Sequence, residues 1–480
     1  MHQIRLGADS FLRADKANQH GLIAGATGTG KTVTLKVLCE QFSTIGVPTI
    51  VADVKGDLAN LCRAGSMDDN LRARLGEMGI GDFSFRAFPV TLWDVYGEEG
   101  LPLRVTISEM GPLLLSRLLE LNDTQDGALR IAFKIADDNG LLLLDAKDLR
   151  SLLTHIGEHA KEYTLTYGRI APQTLAALQR KLLLLDDSAD MSFFGEPSIA
   201  IRDLLRTDSD NNGVINVINS KHLLQQPMLY AMFLLWLLSE LFETLPEVGN
   251  PDKPKLVFFF DEAHLLFTAD MPNAIRTRIE QVVRLIRSKG VGVFFITQNP
   301  LDIPDAVLNQ LGNRIIHQLR AYSPREKKTL RAVAETFRAN PALDVETELT
   351  ALRTGEALVS LLDETGSPRP VEKVLIAPPA SSFAPLTDAE YRELVTSSPL
   401  YAAYRDAIDR YSAYEALAEQ AQRAAVTAGA DTAKDDTPTR RGRPPKTYME
   451  KGLDSMFSTI TRTIGREIAR GILGTFLRKR

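Results

Sequence analysis

Apolar residues in this chain gather into two kinds of run. The short kind, made mostly of Val, Ile, Leu and Phe, occurs at Gly21–Ala24, Pro48–Ala52, Gly213–Ile218, Leu256–Phe260, Gly292–Thr297, Arg314–Leu319 and Glu356–Leu361. Runs of this length, bounded by Gly, Pro and acidic residues, predict strands covered on both faces, the condition of a parallel sheet. The longer kind has helical spacing. Val33–Cys39 opens a helix just after the first strand, and Leu113–Leu119 and Leu175–Leu182 carry Leu-rich amphipathic stripes. Met228–Leu238 is the greasiest run, but Ser239 and Glu240 stop it short of the roughly twenty residues a membrane span needs. It predicts a core helix. The fold class expected is α/β, a mostly parallel central sheet interrupted between about residues 105 and 210 by a helical insertion or lid.

The turn after the first strand carries chemistry. Gly25-Ala26-Thr27-Gly28-Thr29-Gly30-Lys31-Thr32 satisfies every position of G-x-x-x-x-G-K-[ST], and it sits between a strand and a helix as a phosphate loop must. Glycines there let successive N–H groups approach phosphate oxygens at a helix N-terminus, where the helix dipole also favours anions. Lys31 is placed to reach β- and γ-phosphates, and the Thr32 hydroxyl to ligate Mg²⁺.

A second element follows at Leu256-Val257-Phe258-Phe259-Phe260-Asp261-Glu262, where a buried strand delivers two carboxylates at its C-terminal end. Ligands bind at that end in open α/β sheets. Asp261 would hold Mg²⁺, directly or through water, and Glu262 would polarise the attacking water; the competing reading is a helix N-cap with a first-turn acid. One helix later the strand Gly292–Thr297 ends in Gln298-Asn299-Pro300. Gln298 at that tip can hydrogen-bond a γ-phosphate or the water, or else cap a turn. Asp53, in Asp53-Val54-Lys55-Gly56-Asp57, is open to a metal-water or a turn role.

Phosphate loop, Asp-Glu strand and Thr-Gln-x-Pro strand end, in this order, resemble the HerA/FtsK class of ring-forming ATPases, and the similarity to the ATPase part of HerA-like helicases runs from about residue 1 to about residue 375. The resemblance implies a RecA-like P-loop NTPase core that hydrolyses ATP with Mg²⁺ at subunit interfaces of a homo-hexamer and moves DNA, or in some relatives polypeptide, through a pore. It adds support to Lys31, Thr32, Asp261, Glu262 and Gln298. It also implies an arginine supplied in trans, for which Arg287 and Arg314 both qualify; each can equally be a helix-end or strand-start cation. HerA-type translocases carry a β-barrel ahead of the ATPase, and about twenty residues before Gly21 are too few for one, so the barrel's functions are not expected here.

The expected organisation is an ATPase half at 1–104, the helical insertion at 105–210, the second ATPase half at 211–380, a helical extension at 381–425, a disordered basic linker at 426–450 and a basic amphipathic helix at 451–480. In the linker, Arg441-Gly442-Arg443-Pro444 resembles an AT-hook, since a narrow A·T minor groove attracts inserted arginines; a Pro- and Arg-rich spacer is the alternative. The last segment aligns Phe457, Ile460, Ile464, Ile468, Ile472 and Phe476 on one face, open to subunit docking, anionic lipid or DNA. Two cysteines, Cys39 and Cys62, provide no disulfide framework or zinc site, and no signal peptide is apparent, so the cytoplasm is the expected location. A net charge of −5 does not decide DNA binding, because a pore or tail needs only local basicity. A nucleotide-switch scaffold that never translocates is the rival of another class.

Overall fold

The computed structural model describes residues 2–186, 193–221, 226–268 and 271–432. The linker carrying Arg441-Gly442-Arg443-Pro444 and the segment from Phe457 to Phe476 lie outside the described residues.

A short antiparallel ribbon, β1 (Gln3–Arg5) and β2 (Phe11–Arg13), leads into β3 (Gly21–Ala24), helix α1 (Lys31–Thr44) and β4 (Thr49–Asp53). After α2 (Asp69–Glu77) come β5 (Val90–Asp94) and β6 (Leu101–Pro102). Helices α3 (Ile107–Leu118), α4 (Asp123–Asn139), α5 (Ala146–Glu158), α6 (Ala160–Tyr167), α7 (Pro172–Asp186) and α8 (Ile201–Leu204) precede the return to the sheet at β7 (Ile215–Asn219). Each of α3, α4 and α5 starts at a reciprocal capping box, Thr106/Glu109, Asn122/Gln125 and Asp145/Asp148, which satisfies first-turn N–H groups locally. The chain continues through α9 (Pro227–Thr244), β8 (Leu256–Phe260), α10 (Asn273–Ile286), β9 (Val291–Thr297), α11 (Asp305–Leu308), β10 (Asn313–His317), α12 (Pro324–Ala334), α13 (Val345–Ala351), β11 (Glu356–Ser360) and β12 (Glu372–Leu375).

The main sheet has the order β12-β11-β10-β3-β9-β8-β4-β7-β5-β6. Pairs from β10 to β6 are parallel and the β10-β11-β12 edge is antiparallel. The expected fold class, α/β with a mostly parallel central sheet, is therefore observed. Every residue of β3, β4, β7, β8 and β9 is buried. Ile23, Val51, Phe259 and Phe294 face Leu35, Leu38 and Phe42 of α1 on one side of the sheet. Phe258, Phe260 and Phe295 stack on the other. Each such ring contributes about 1.5–3 kcal/mol by leaving water. Helix α9 is buried from Leu229 to Leu238 and packs against α3 and α10, so its uniform greasiness belongs to the core.

Beyond β12 the chain departs from the expected single helix. It forms α14 (Asp388–Thr396) and α15 (Tyr401–Tyr404), separated around Pro399, then an irregular stretch. That stretch is tied to the helical insertion: the Tyr404 hydroxyl donates to Asp203 Oδ2 at 2.6 Å, Lys147 Nζ lies 2.7 Å from Asp409 Oδ1, and the Ser412 hydroxyl donates to Asp148. Tyr404 is buried and rests edge-on against Trp93. The first compact unit ends at Tyr414, and α16 (Ala413–Thr432) carries the chain into a second.

Candidate active site

Because β3, β9, β8 and β4 are parallel neighbours, their carboxyl ends form one rim. Register places Ala24 beside Thr297 and Phe295 beside Phe260, so the chain leaves β3 and β8 two strand spacings apart, roughly 10 Å.

The loop from Gly25 to Gly30 is shaped by its neighbours. Gly25 N–H donates to the Thr297 carbonyl at 3.3 Å, Ala26 N–H to Gln318 at 2.9 Å, and the Thr29 carbonyl accepts Gly355 N–H at 2.9 Å. At Gly25 (φ 152°) a Cβ would lie 2.6 Å from the Cβ of His317, and at Gly30 (φ 117°) one would lie 3.1 Å from the Gly355 Cα. Only glycine fits either position. His317 walls the loop: its Nε2 meets the Thr34 hydroxyl at 2.8 Å and its Nδ1 the Glu356 carbonyl at 2.9 Å, and burial pushes its pKa down to about 4. The Lys31 ammonium, 6% exposed, donates to the carbonyls of Gly25 at 2.5 Å and Ala26 at 3.0 Å. The half-buried Thr32 hydroxyl makes no hydrogen bond among the described residues.

Opposite stand the two acids. Asp261 and Glu262 are 6% and 7% exposed. Asp261 Oδ1 accepts the Glu262 N–H at 3.0 Å, and its carbonyl accepts the Tyr230 hydroxyl from α9 at 3.2 Å. Glu262 occupies the left-handed region (φ 47°, ψ 46°). For a residue with a long side chain this costs on the order of 1–3 kcal/mol and marks functional sites more often than structural ones. Its carboxylate is surrounded: Lys55 Nζ is 3.5 Å from Oε1, and Gln298 Nε2 and His264 Nδ1 are 3.5 and 3.4 Å from Oε2. Burial raises the Asp261 pKa to about 7, with Lys55 opposing and Glu262 adding to the rise. Burial and Lys55 lower the Lys31 pKa, while Glu262 and Asp261 raise it, so the loop lysine and the acids lie within one electrostatic neighbourhood.

The structure thus brings Lys31, Thr32, Asp261, Glu262 and Gln298 to one rim. Residues suited to a hard divalent cation are present in Thr32, with its unengaged hydroxyl, and in the Asp261 carboxylate. Arg287 and Arg314 do not join them. Both lie at the amino ends of β9 and β10: Arg287 is exposed, and the Arg314 guanidinium donates to the carbonyls of Leu308, Leu311 and Thr336. Asp53 serves a turn, its carboxylate accepting the N–H groups of Lys55, Gly56 and Leu58 at 2.7–3.1 Å, and burial raises its pKa to about 6.

Sequence reasoning missed Lys55 and His264. Lys55 sits inside the turn that follows β4, and the available signal was a lysine two residues past a β-strand on the ligand side. Burial works against its charge, yet Asp261 and Glu262 outweigh it and hold its pKa above the usual lysine value. His264 follows the Asp-Glu pair at the second position. Its proximity to Glu262 follows from the left-handed bend at that residue, which no pattern in the sequence announces.

A family model described as Helicase HerA-like C-terminal matches residues 2–480. The DNA double-strand break repair helicase HerA of Sulfolobus acidocaldarius is 23% identical over 364 residues, covering 72% of this chain and 63% of the relative. The corresponding helicase of Saccharolobus solfataricus is 22% identical over 370 residues, covering 74% and 63%. The chain spans less than two thirds of the length of either. The plasmid coupling protein TrwB in complex with ADP and Mg²⁺ aligns with a TM-score of 0.52 at 15% identity, covering 81% of this chain and 91% of TrwB. At that identity the likeness is one of fold.

Proposed function

We propose, from the premise that this chain belongs to the HerA-like C-terminal helicase family, that it is an ATP-hydrolysing motor that acts on DNA. The observation that carries the reading is the meeting of Lys31 with the Asp261–Glu262 pair and Gln298 at one rim of the sheet.

In this reading the backbone of Gly25–Thr32 cradles the phosphates, and Lys31 exchanges the loop carbonyls for the β- and γ-phosphate oxygens. Mg²⁺, held by Thr32 and Asp261, would neutralise charge between those phosphates. Glu262 accepts a proton from the water that attacks the γ-phosphorus. Lys55 and His264 fix the Glu262 carboxylate, and Gln298, which directly follows β9 and reaches that carboxylate, reports whether the γ-phosphate is present. ATP is hydrolysed at subunit interfaces of a homo-hexamer in the cytoplasm, with an arginine supplied by the neighbouring subunit. Arg287 suits that role better than Arg314, whose guanidinium is engaged within its own chain. The substrate is duplex DNA held by a basic pore, with Arg441-Gly442-Arg443-Pro444 as an accessory contact.

The test is ATP turnover with and without duplex DNA across a salt series. Stimulation that falls as salt rises is expected, because phosphate contacts release counterions. Glu262→Gln should retain ATP binding and lose turnover by roughly a thousandfold or more, and Lys31→Ala should lose both. Hydrolysis indifferent to DNA would leave a scaffold ATPase or a polypeptide pump instead.

A further inference from the structure

A half-buried arginine on α2 reaches the phosphate loop through one glycine, and none of the roles above uses it. Arg74 donates from Nε and Nη2 to the Ile376 carbonyl at 3.1 and 2.6 Å and from Nη2 to the Gly355 carbonyl at 2.9 Å, so it clasps the residue before β11 and the residue after β12. Its guanidinium makes no ion pair among the described residues, and the Glu77 carboxylate on the same helix goes to Arg353 instead, at 2.7 Å. Gly355 (φ 81°) lies in the left-handed region, and a Cβ there would stand 2.6 Å from Arg74 Nη2. Arginine and glycine therefore fit as one unit. On its other side Gly355 bears on the loop: its N–H donates to the Thr29 carbonyl at 2.9 Å, and its Cα fills the space beside Gly30.

That contact fixes a direction. In a planar trans peptide the carbonyl and the N–H point opposite ways. The Gly25–Ala26 peptide shows this in the loop: its carbonyl takes the Lys31 ammonium, and its N–H turns outward to the Gln318 carbonyl just past β10. The Thr29–Gly30 peptide is turned over. Its carbonyl faces Gly355 on the β11 side, so the Gly30 N–H, which makes no hydrogen bond among the described residues, faces away from that side and into the loop. An N–H held there is the donor a phosphate oxygen meets at a helix N-terminus. Both peptides flank glycines, whose backbone tolerates the flipped orientation at little cost, so only an outside brace keeps one sense. We propose that Arg74 is a positioning residue for phosphate binding: by locking Gly355 it holds the Thr29–Gly30 peptide in the sense that presents the Gly30 N–H to the phosphates. The inference rests on the reading that Gly25–Thr32 holds the triphosphate.

Calorimetric titration of the full chain, with Mg²⁺, by ATP and by inorganic tripolyphosphate provides the test. Arg74→Met, which keeps an apolar stem and removes the donors, is expected to weaken both ligands by the same factor, roughly 10- to 100-fold, the worth of one hydrogen bond to a charged group. KM for ATP should rise with kcat kept. Arg74→Lys, which keeps the charge without the fork, should recover part of the loss. Gly355→Ala should weaken both ligands too, and the loss in the double variant should fall short of the product of the two single losses, because the two residues act through one contact. A purely structural role would lower the urea midpoint of the unliganded chain and leave the affinities of the folded chain alone. Tripolyphosphate affinity within about twofold of the parent in Arg74→Met therefore overturns the proposal. So do independent losses in the double variant, and so does a fall in kcat at unchanged affinity, which would place Arg74 at the reacting atoms. Should Arg74→Met fail to fold, Arg74→Lys is read by the same twofold criterion. If Lys31→Ala leaves both ligands bound as before, the phosphate-loop reading falls first and takes this one with it.

Discussion

At the amino rim of the sheet, Arg314 gives its guanidinium to the carbonyls of Leu308, Leu311 and Thr336, Asn313 bonds the carbonyls of Lys16 and His20, and His20 pairs with Val283 and Val293. At the carboxyl rim, Lys31, Lys55, Asp261 and Glu262 face one another, and the contacts around the Glu262 carboxylate are 3.4–3.5 Å long. Similar residue types are used in opposite ways. Side chains whose hydrogen-bonding capacity is matched by backbone hold strands in place. Charges gathered in a poorly hydrated cleft, with one backbone residue in a strained conformation, weaken the fold and are retained where they act on a ligand.

The arginines offer the sharpest way to break that comparison. Arg314→Ala leaves the Leu311 and Thr336 carbonyls without this donor, while Leu308 keeps the Leu311 N–H, and should cost about 2–4 kcal/mol of stability, the usual cost of unsatisfied acceptors. Urea unfolding would register it as a lower midpoint at constant slope, with turnover per folded molecule kept within about twofold. Arg287→Ala should do the reverse: stability within about 0.5 kcal/mol of the parent, and, if this arginine serves the neighbouring subunit, a loss of turnover of roughly a thousandfold. An Arg314→Ala chain that melts normally yet fails to hydrolyse ATP would exchange the two roles and make Arg314, not Arg287, the arginine that acts on the nucleotide.

Lys55 gives a smaller effect on the other rim. It touches no phosphate-loop atom and is argued to act through Glu262, so Lys55→Met should lower kcat roughly 10- to 100-fold, about 1.4–2.7 kcal/mol of barrier, with KM nearly constant. Lys55→Arg should restore part of the loss. A rise in KM at unchanged kcat would make Lys55 a substrate contact and not a positioning residue.

What could be read in advance follows the same division. Strands whose residues are buried on both faces write themselves as unbroken apolar runs, so β3, β4, β7, β8, β9, β10 and β11 were legible, and so were the loop glycines, whose backbone no other residue can adopt. Val90–Asp94 escaped because its buried positions include Thr91 and Asp94; Asp94 accepts the N–H groups of Tyr96, Glu98 and Glu99, and Trp93 bonds Asn216, partners that only the folded sheet supplies. Lys55 and His264 escaped for a related reason. Their place beside Glu262 is set by two turns, one folded around Asp53 and one bent at Glu262 itself, and turn geometry of that kind leaves no periodicity. The tie between residues 404–412 and the helical insertion joins positions far apart in the chain through single hydrogen bonds, which composition read as one continuous helix.

The smallest effect concerns acid, and it probes whether the amino rim is held by neutral hydrogen bonds. His20 is buried, and its Nδ1 accepts the Val293 N–H at 3.0 Å while Nε2 meets the Val283 carbonyl at 2.8 Å. Burial above all, with Arg287 adding, depresses its pKa from 6.5 to about 4, against the Val283 bond, which raises it. Protonation would turn Nδ1 into a donor facing another donor. Because the folded pKa lies below the unfolded one, the stability tied to neutral His20 is fully present above pH 6.5 and drains away as pH falls toward 4. One proton taken up on unfolding corresponds to about 1.4 kcal/mol per pH unit. Urea midpoints of the parent and of His20→Gln should therefore differ most at pH 7 and draw together by about that amount between pH 6 and pH 5, whatever the carboxylates common to both chains contribute. A gap that stays constant across that range would show that His20 titrates normally in the folded chain, and the amino rim would lose its standing as the sealed counterpart of the carboxyl one.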